Sequence, residues 1–273
     1  MSTTTRIDLD AYLTRIGVPQ AHAADLPTLR RVVAGHARAI AFENIDAFTG
    51  RTPRLDPAAL ADKLVDGGRG GWCFEQNLLL RGALDELGFA TTGLAARVLW
   101  RRPPDAPVPP RGHMLLRVDL DQGPHIVDVG FGGLTLTGVL ALEPGAEQST
   151  PHEPFRLWPD GTGYLMQAEL GGAWTTLYRF DLTEQHPADY EVTNWYLANH
   201  PESHFVSSLM LARPDADRRF ALNGRMLSVY HLGGPAERRE LDSPAAIRDA
   251  LIEHFQLDLS GLPDLDQALR RLR

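Results

Sequence analysis

Gly67-Gly68-Arg69-Gly70-Gly71-Trp72-Cys73-Phe74-Glu75-Gln76-Asn77 interrupts a stretch of helical sequence and then restarts it. The glycines break the pattern, and a helix is predicted from about Cys73 to Leu87, where Gly88 stops it. Cys73 therefore stands where a flexible loop feeds a helix. A helix N-terminus presents unpaired N–H groups and partial positive charge, which favour a thiolate over a thiol. The same N–H groups can stabilise the oxyanion formed when a sulfur attacks a carbonyl. A lone cysteine is equally at home as a small buried hydrophobe, so it is the loop-to-helix position that argues for chemistry here.

Upstream of this junction the chain reads as short helices. Leu9, Tyr12, Leu13 and Ile16 fall at helical spacing over residues 8–17, with Asp8 or Asp10 available as a cap. Leu26-Pro27 to Ile40 and Pro57 to Val65 repeat the pattern, with Asp25 and Asp56 placed just before a proline that can open each helix.

Downstream of Gly88 the period changes to that of strands. Thr91–Trp100, His113–Leu120 and His125–Val129 are predicted strands, the last two joined by the turn residues Asp121-Gln122-Gly123-Pro124. Between the first two, residues 101–111 carry five prolines, Pro103, Pro104, Pro107, Pro109 and Pro110, which predicts an exposed flap beside His113. Further short strands, punctuated by turns such as Pro159-Asp160-Gly161, suggest a barrel or half-barrel. From Tyr190 the pattern mixes a helical turn at 194–199, two strand-like runs around Asn223-Gly224, and a terminal helix from Pro244 to Phe255 capped by Ser243.

A thiolate nucleophile needs a base or cationic partner, and the base needs an orienting group. His113 opens one strand of the hairpin, and Asp128 lies in the next, in the apolar run His125-Ile126-Val127-Asp128-Val129-Gly130-Phe131-Gly132-Gly133. A carboxylate in so apolar a strand requires a partner, because an unpaired buried charge costs several kcal/mol. Pairing centred between Leu120 and Asp121 sets the two residues directly opposite, whereas a turn centred at Gln122-Gly123 demands a diagonal offset or a bulge; the register is open at this point. The other histidines fit less well. His125 faces the side opposite Asp128 by alternation. His200 and His204 have helical ligand spacing but Pro201 between them and no third ligand nearby, so no metal is expected. Ser207-Ser208 lacks the Gly-x-Ser-x-Gly elbow of a serine hydrolase.

Composition narrows the classes further. With 273 residues, 43% hydrophobic and 23% charged, the chain is long enough for one large core or two to three packed units, and collagen-like, disordered and disulfide-scaffold classes are excluded. A net charge of -8, without a like-charge block, gives no extended footprint for nucleic acid. Met1 to Arg6 lacks a basic segment followed by an apolar run, and no stretch nears the roughly 18 uninterrupted apolar residues of a membrane span, so a cytoplasmic protein is expected. The single cysteine excludes an intrachain disulfide and a multi-Cys metal site.

Taken together, the run from Arg69 to Asn77, His113, and Val127-Asp128-Val129-Gly130-Phe131-Gly132 resemble the arylamine N-acetyltransferase family, bacterial branch. The resemblance extends to Phe42-Glu43-Asn44-Ile45-Asp46, Asn194-Trp195-Tyr196 and His200-Pro201-Glu202-Ser203-His204-Phe205. It implies a Cys-His-Asp triad at Cys73, His113 and Asp128 on a core like that of transglutaminases and papain-like proteases. It also implies an α+β fold in three parts: a helical bundle over 1–89 carrying the cysteine, an antiparallel β-barrel over 90–189 carrying the histidine and aspartate, and an α/β lid over 190–273. The activity implied is acetyl transfer from acetyl-CoA, as co-substrate and without metal, to arylamines, arylhydrazines and related aromatic amines through an acetyl-Cys73 intermediate. Phe42, Phe131 and Phe205 are candidate pocket walls, and the turn containing Gly132 is where a pantetheine arm or flat ring would approach the backbone. An amide synthase of the same family, forming a macrolactam from an acyl-Cys73, shares the triad and is the alternative. A non-catalytic scaffold of this fold is disfavoured by the intact triad and glycine loop. Neither nucleic acid nor membrane is an expected partner, and the oligomeric state is left open.

Overall fold

The computed structural model describes residues 7–21, 23–103 and 105–272. Met1 to Arg6 and Pro104 of the flap lie outside the described residues.

Among the described residues, five α-helices and one short strand precede Gly88: α1 (Leu9–Arg15), α2 (Leu26–Ala39), β1 (Phe42–Glu43), α3 (Ile45–Phe48), α4 (Pro57–Leu60) and α5 (Cys73–Glu86). Their starts follow capping chemistry. The carboxylates of Asp8, Asp25 and Asp56 accept from the N–H groups of Ala11, Thr28 and Ala59 at 3.0, 2.8 and 3.0 Å, and Pro27 and Pro57 occupy the first turns of α2 and α4. The expected helix over 57–65 is only half α-helical. From Ala61 to Asp66 it widens into a π-helical turn, a feature frequent at functional sites. Here the turn carries Lys63, whose Nζ reaches Asp46 and Glu75 at 2.7 and 2.6 Å.

Eight antiparallel strands follow: β2 (Ala90–Val98), β3 (His113–Leu120), β4 (Gly123–Val127), β5 (Leu140–Ala141), β6 (Glu147–Gln148), β7 (Phe155–Asp160), β8 (Gly163–Leu170) and β9 (Ala173–Phe180). They form one sheet in the order β5-β4-β3-β2-β9-β8-β7-β6. Its two edges are stitched by a side chain: Gln148 Oε1 accepts from Ala141 N at 2.7 Å, and its Nε2 donates to Ala141 O at 2.9 Å. The result is a nearly closed barrel, filled by side chains such as Leu94, Leu115, Phe155, Met166 and Leu177. The alternate residues of β3, Met114, Leu116 and Val118, face outward into a second core shared with α1, α2 and α5. This shared core fixes α5 against β3, and thereby Cys73 against His113.

The remaining elements are α6 (Pro187–Asn199), α7 (His204–Ser207), β10 (Met210–Pro214), β11 (Arg218–Asn223), β12 (Met226–His231), β13 (Ala236–Glu240), α8 (Pro244–Glu253) and α9 (Leu265–Leu269). α6 is more than the single turn expected at 194–199, and Ser243 Oγ caps α8 as anticipated by accepting from Ala246 N at 3.2 Å. β1 is the first strand of the second sheet, β1-β10-β11-β12-β13. Asn44 anchors it there: its Nδ2 donates to the carbonyls of Phe205 and Ser208 at 2.8 and 2.7 Å, and its Oδ1 accepts from Met210 N at 2.7 Å. A third core joins this sheet to α3, α8 and α9. The fold class is the mixed helix-and-barrel architecture expected from the sequence.

Candidate active site

Cys73 is the first residue of α5 and is 6% exposed, its Sγ 3.9 Å from Gly112 O at the end of the flap. The glycine loop that delivers it is not a loose connector. Gly71 N donates to Ala41 O at 3.2 Å, while Gly71 O accepts from Glu43 N and from Gln76 Nε2, each at 3.1 Å. A Cβ on Gly70 would stand 2.1 Å from Ala41 O, so the glycine is required by close packing of backbone on backbone. Glu75 completes the helix start, its Oε2 accepting from Trp72 N at 3.0 Å.

Behind this turn lies a buried charge cluster. Lys63 and Arg69 face Glu43, Asp46 and Glu75, with Lys63 Nζ 2.6 Å from Glu75 Oε1 and Arg69 Nε 2.9 Å from Glu43 Oε1. Burial is the main influence on Glu75 and raises its pKa to about 7, with the neighbouring Asp46 and Glu43 adding to the shift and Lys63 opposing it.

His113 and Asp128 meet as the sequence requires, in a register that it left open. β3 and β4 pair Leu120 with Gly123, so the turn is centred between Asp121 and Gln122, and Asp128 lies just past the end of β4 rather than within it. In this register His113 and Asp128 share one face as diagonal neighbours. His113 Nε2 is 2.7 Å from Asp128 Oδ2, with the two side chains 3% and 0% exposed. The other ring nitrogen, Nδ1, is left for Cys73, with which the ring also interacts. Burial alone would lower the His113 pKa. The Asp128 carboxylate and the Cys73 sulfur outweigh it and raise the value to about 10. Asp128 moves the opposite way: burial pushes it up, but His113, Gly130 N–H and Tyr178 hold it below the usual carboxylate range.

Three side chains with no assigned role in the sequence reading complete the arrangement. Tyr178 Oη donates to Asp128 Oδ2 at 2.8 Å. Asn77, one helical turn beyond Cys73, has its Nδ2 3.1 Å from Cys73 O, 2.9 Å from Met114 O and 3.2 Å from Asp128 Oδ1, and its Oδ1 accepts from Val129 N. The four-residue spacing of Cys73 and Asn77 was the available signal, since it places both on one helix face. Gln76 reaches into the bundle, its Oε1 2.6 Å from His36 Nε2, while His36 Nδ1 accepts from Tyr12 Oη at 2.8 Å.

The candidate wall residues surround this centre. Phe131 packs edge-on against His113 at 5.2 Å between ring centroids and lies 5.1 Å from Tyr178. Phe42 lies over Gly132 and 6.4 Å from Phe205, which packs edge-on against Trp72 at 5.3 Å. Of the other histidines weighed in the sequence, His125 Nδ1 lies 2.9 Å from Gly123 O, His200 stacks on Tyr196, and His204 packs against the candidate wall residue Phe205 at 4.1 Å between ring centroids. Among the described residues no group of three or more His, Cys, Asp or Glu could hold a metal ion. None of the described helices is long and apolar enough to cross a membrane.

The arrangement has close relatives. A family model described as N-acetyltransferase matches residues 25–263. The arylamine N-acetyltransferase of Mycolicibacterium smegmatis is 43% identical over 97% of both chains. The arylamine N-acetyltransferase / N-hydroxyarylamine O-acetyltransferase of Salmonella typhimurium is 36% identical over 93% of this chain and 90% of its own. The solved structure of the Mycobacterium marinum arylamine N-acetyltransferase in complex with CoA superposes with a TM-score of 0.94 at 41% identity, covering 97% of this chain and 99% of that one. A match of this extent in sequence and fold shows that the chain belongs to the arylamine N-acetyltransferase family and is an acyltransferase.

Proposed function

We propose that the protein transfers acetyl groups from acetyl-CoA to aromatic amines and hydrazines by two half-reactions through an acetyl-Cys73. The observation that carries this reading is the chain of contacts Cys73–His113–Asp128 at the start of α5, with His113 held as imidazolium beside the sulfur. The CoA complex of the M. marinum relative supports CoA as the form of the donor.

In the first half-reaction the Cys73 thiolate attacks the thioester carbonyl, the new C–S bond forms, and the bond to CoA sulfur breaks. Free N–H groups of the α5 N-terminus face the developing oxyanion. Acetylation removes the negative sulfur that helped hold the proton on His113, so the imidazolium becomes acidic enough to protonate the departing CoA thiolate. His113 is then neutral. An aromatic amine, itself uncharged near neutral pH, adds to the acetyl-Cys73 carbonyl, His113 takes the proton from its nitrogen, and Cys73 leaves as thiolate. The ion pair is restored, and Asp128 keeps the ring in one orientation throughout.

In this reading residues 1–89 supply the cysteine, residues 90–189 the histidine and aspartate, and residues 190–273 the lid. Phe42, Phe131, Gly132 and Phe205 form the wall for the aromatic ring. A lone nucleophilic thiol suits the reducing cytoplasm. Intact-mass measurement after mixing with acetyl-CoA and no amine tests the mechanism. One acetyl group mapping to Cys73, absent in Cys73→Ala, is expected, whereas unmodified protein with no CoA released overturns it.

A further inference from the structure

Gly130, Phe131, Gly132 and Gly133 form the turn that carries one wall of the site, and its backbone has little to hold it intrinsically. Gly132 has φ +85, and around Gly133 a Cβ would meet nothing within 4 Å. The turn is nonetheless anchored. Thr135, 2% exposed, donates to Gly132 O through both its N–H, at 3.0 Å, and its Oγ1, at 2.8 Å.

The carbonyl of Thr135 is in turn taken by a residue of the other sheet. Arg219, on β11 and 2% exposed, donates from Nη1 to Thr135 O at 3.0 Å. The rest of its guanidinium grips Glu153: Nε lies 3.0 and 3.1 Å from the two carboxylate oxygens, and Nη2 is 2.6 Å from Oε2. Glu153 is itself presented by a formed turn, in which Thr150 Oγ1 accepts from His152 N at 3.1 Å and donates to Glu153 O at 2.7 Å. The ladder therefore runs from Glu153 through Arg219 and Thr135 to Gly132, whose neighbour Phe131 packs on His113.

A buried ion pair is a poor device for stability alone, because desolvation offsets the Coulombic gain. A planar fork that holds a carboxylate and a loop carbonyl at once does fix geometry. We propose that Arg219 and Glu153 are positioning residues for the aromatic acceptor, clamping the 130–135 turn so that Phe131 and Gly132 keep the shape of the acceptor wall. The proposal rests on the acetyl-Cys73 reading given above. It assigns the pair to the second half-reaction: a carbonyl at Cys73 needs no aromatic wall to form, but a flat ring needs one to be held over it.

Arg219→Lys tests this, since it keeps a positive charge for Glu153 but loses the fork that spans to Thr135. Acetyl-enzyme formation is followed by CoA release without amine, and its breakdown by a titrated arylamine or by hydroxylamine, a nucleophile with no ring to seat. The half-saturating arylamine concentration should rise about tenfold, with acetylation and hydroxylamine breakdown within about twofold of the unsubstituted protein. Thr135→Val, which leaves the ion pair intact and removes only the Oγ1 bond, should show the same split at smaller size. Both variants losing every step in parallel with melting temperature, or arylamine saturation unchanged, overturns the proposal. If the unsubstituted chain forms no acetyl-enzyme at all, the reading beneath it fails first, and the experiment shows that separately.

Discussion

Tyr178 Oη donates to Asp128 Oδ2, the same oxygen that His113 Nε2 reaches, at 2.8 Å. The two rings lie 4.9 Å apart between centroids, although β2 separates their strands: His113 on β3 pairs with Ala96, and Tyr178 on β9 pairs with Val98. Asp128 thus divides its charge between a phenol and an imidazole, and the phenol limits how tightly the carboxylate holds His113 protonated.

Tyr178→Phe keeps the ring packing and removes this donor. Asp128 then falls back on His113, the imidazolium is held more firmly, and arylamine attack, which needs neutral His113, should shift to higher pH. We expect about a tenfold loss of the second half-reaction at pH 7 and about 1–2 kcal/mol of stability. Single-turnover rates across pH, with urea unfolding alongside, check both. An unaltered pH profile would falsify the charge-sharing role.

Asp128→Asn should be costly in two ways. Four donors converge on this side chain, from His113, Tyr178, Asn77 and Gly130, and it has no exposure to solvent. An amide offers one acceptor oxygen and turns its own N–H groups toward at least one of those donors, so about 3–5 kcal/mol of stability should be lost. The rate should fall at least about a hundredfold, whereas adding Asp128→Asn to Cys73→Ala, which already lacks the nucleophile, should cost little more, because groups that act as one unit are non-additive. Cys73→Ala alone should melt close to the unsubstituted protein. Thermal unfolding and initial rates of the three variants decide the matter, and additive losses would mean that Asp128 does not act through Cys73.

What could be read beforehand divides along the range of the interactions. The start of α5 was legible because a glycine run followed by helical spacing is a local signal, and the β3–β4 hairpin was legible from alternation. Its register was not, since Asp121-Gln122-Gly123-Pro124 admits several turn centres and only packing against Asn77 and β2 selects one. β1 is two residues long and pairs with β10 near the far end of the chain, so no local pattern marks it. α6 exceeds the predicted single turn because its buried stripe, Tyr190, Asn194, Leu197 and Ala198, includes an amide, while apolar Val192 and Trp195 are 73% and 62% exposed, so the sequence shows no clean apolar period. Tyr178 and Arg219 reach the site from distant strands, and nothing in their neighbourhoods announces it.

His36 sets a pH limit on the helical bundle. It is fully buried between Tyr12 and Gln76, and burial chiefly lowers its pKa to about 4, with Arg15 adding to the effect and the Gln76 bond opposing it. An unfolded histidine titrates near ~6.5. The stabilisation from keeping it neutral is therefore complete above that pH and lost as pH falls from ~6.5 toward ~4, by about 3 kcal/mol in all. Glu75, raised to about 7, runs the other way: its contribution is full below its unfolded value and lost as pH rises through 7. His36→Gln removes the first effect and keeps the second. Melting temperature between pH 7 and 4.5 should fall less steeply in the variant, and parallel slopes would show that His36 does not titrate on unfolding.

Gly130 is the position where the barrel touches the nucleophile's own backbone. A Cβ there would stand 2.6 Å from Cys73 Cα, 2.8 Å from Asn77 Nδ2 and 3.1 Å from Cys73 O. None of these atoms can move alone. The first is the first residue of α5, and Asn77 is tied to Met114 O, Asp128 and Val129 N. Gly130→Ala must therefore push the start of α5 away from the end of β4, which separates the sulfur from the imidazole that Asp128 holds in place. Overpacking of this kind costs about 1–3 kcal/mol. The rate should suffer more than that figure implies, by about a hundredfold or greater, because a displacement of about 1 Å between reacting groups is enough. Gly133→Ala, three positions along the same turn and open to solvent, is the control and should leave rate and stability close to those of the unsubstituted protein. Iodoacetamide labelling of Cys73 in the two variants separates the cases: slower labelling in Gly130→Ala with normal labelling in Gly133→Ala is the expected pair, and equal labelling in both would place the effect of residue 130 somewhere other than the sulfur.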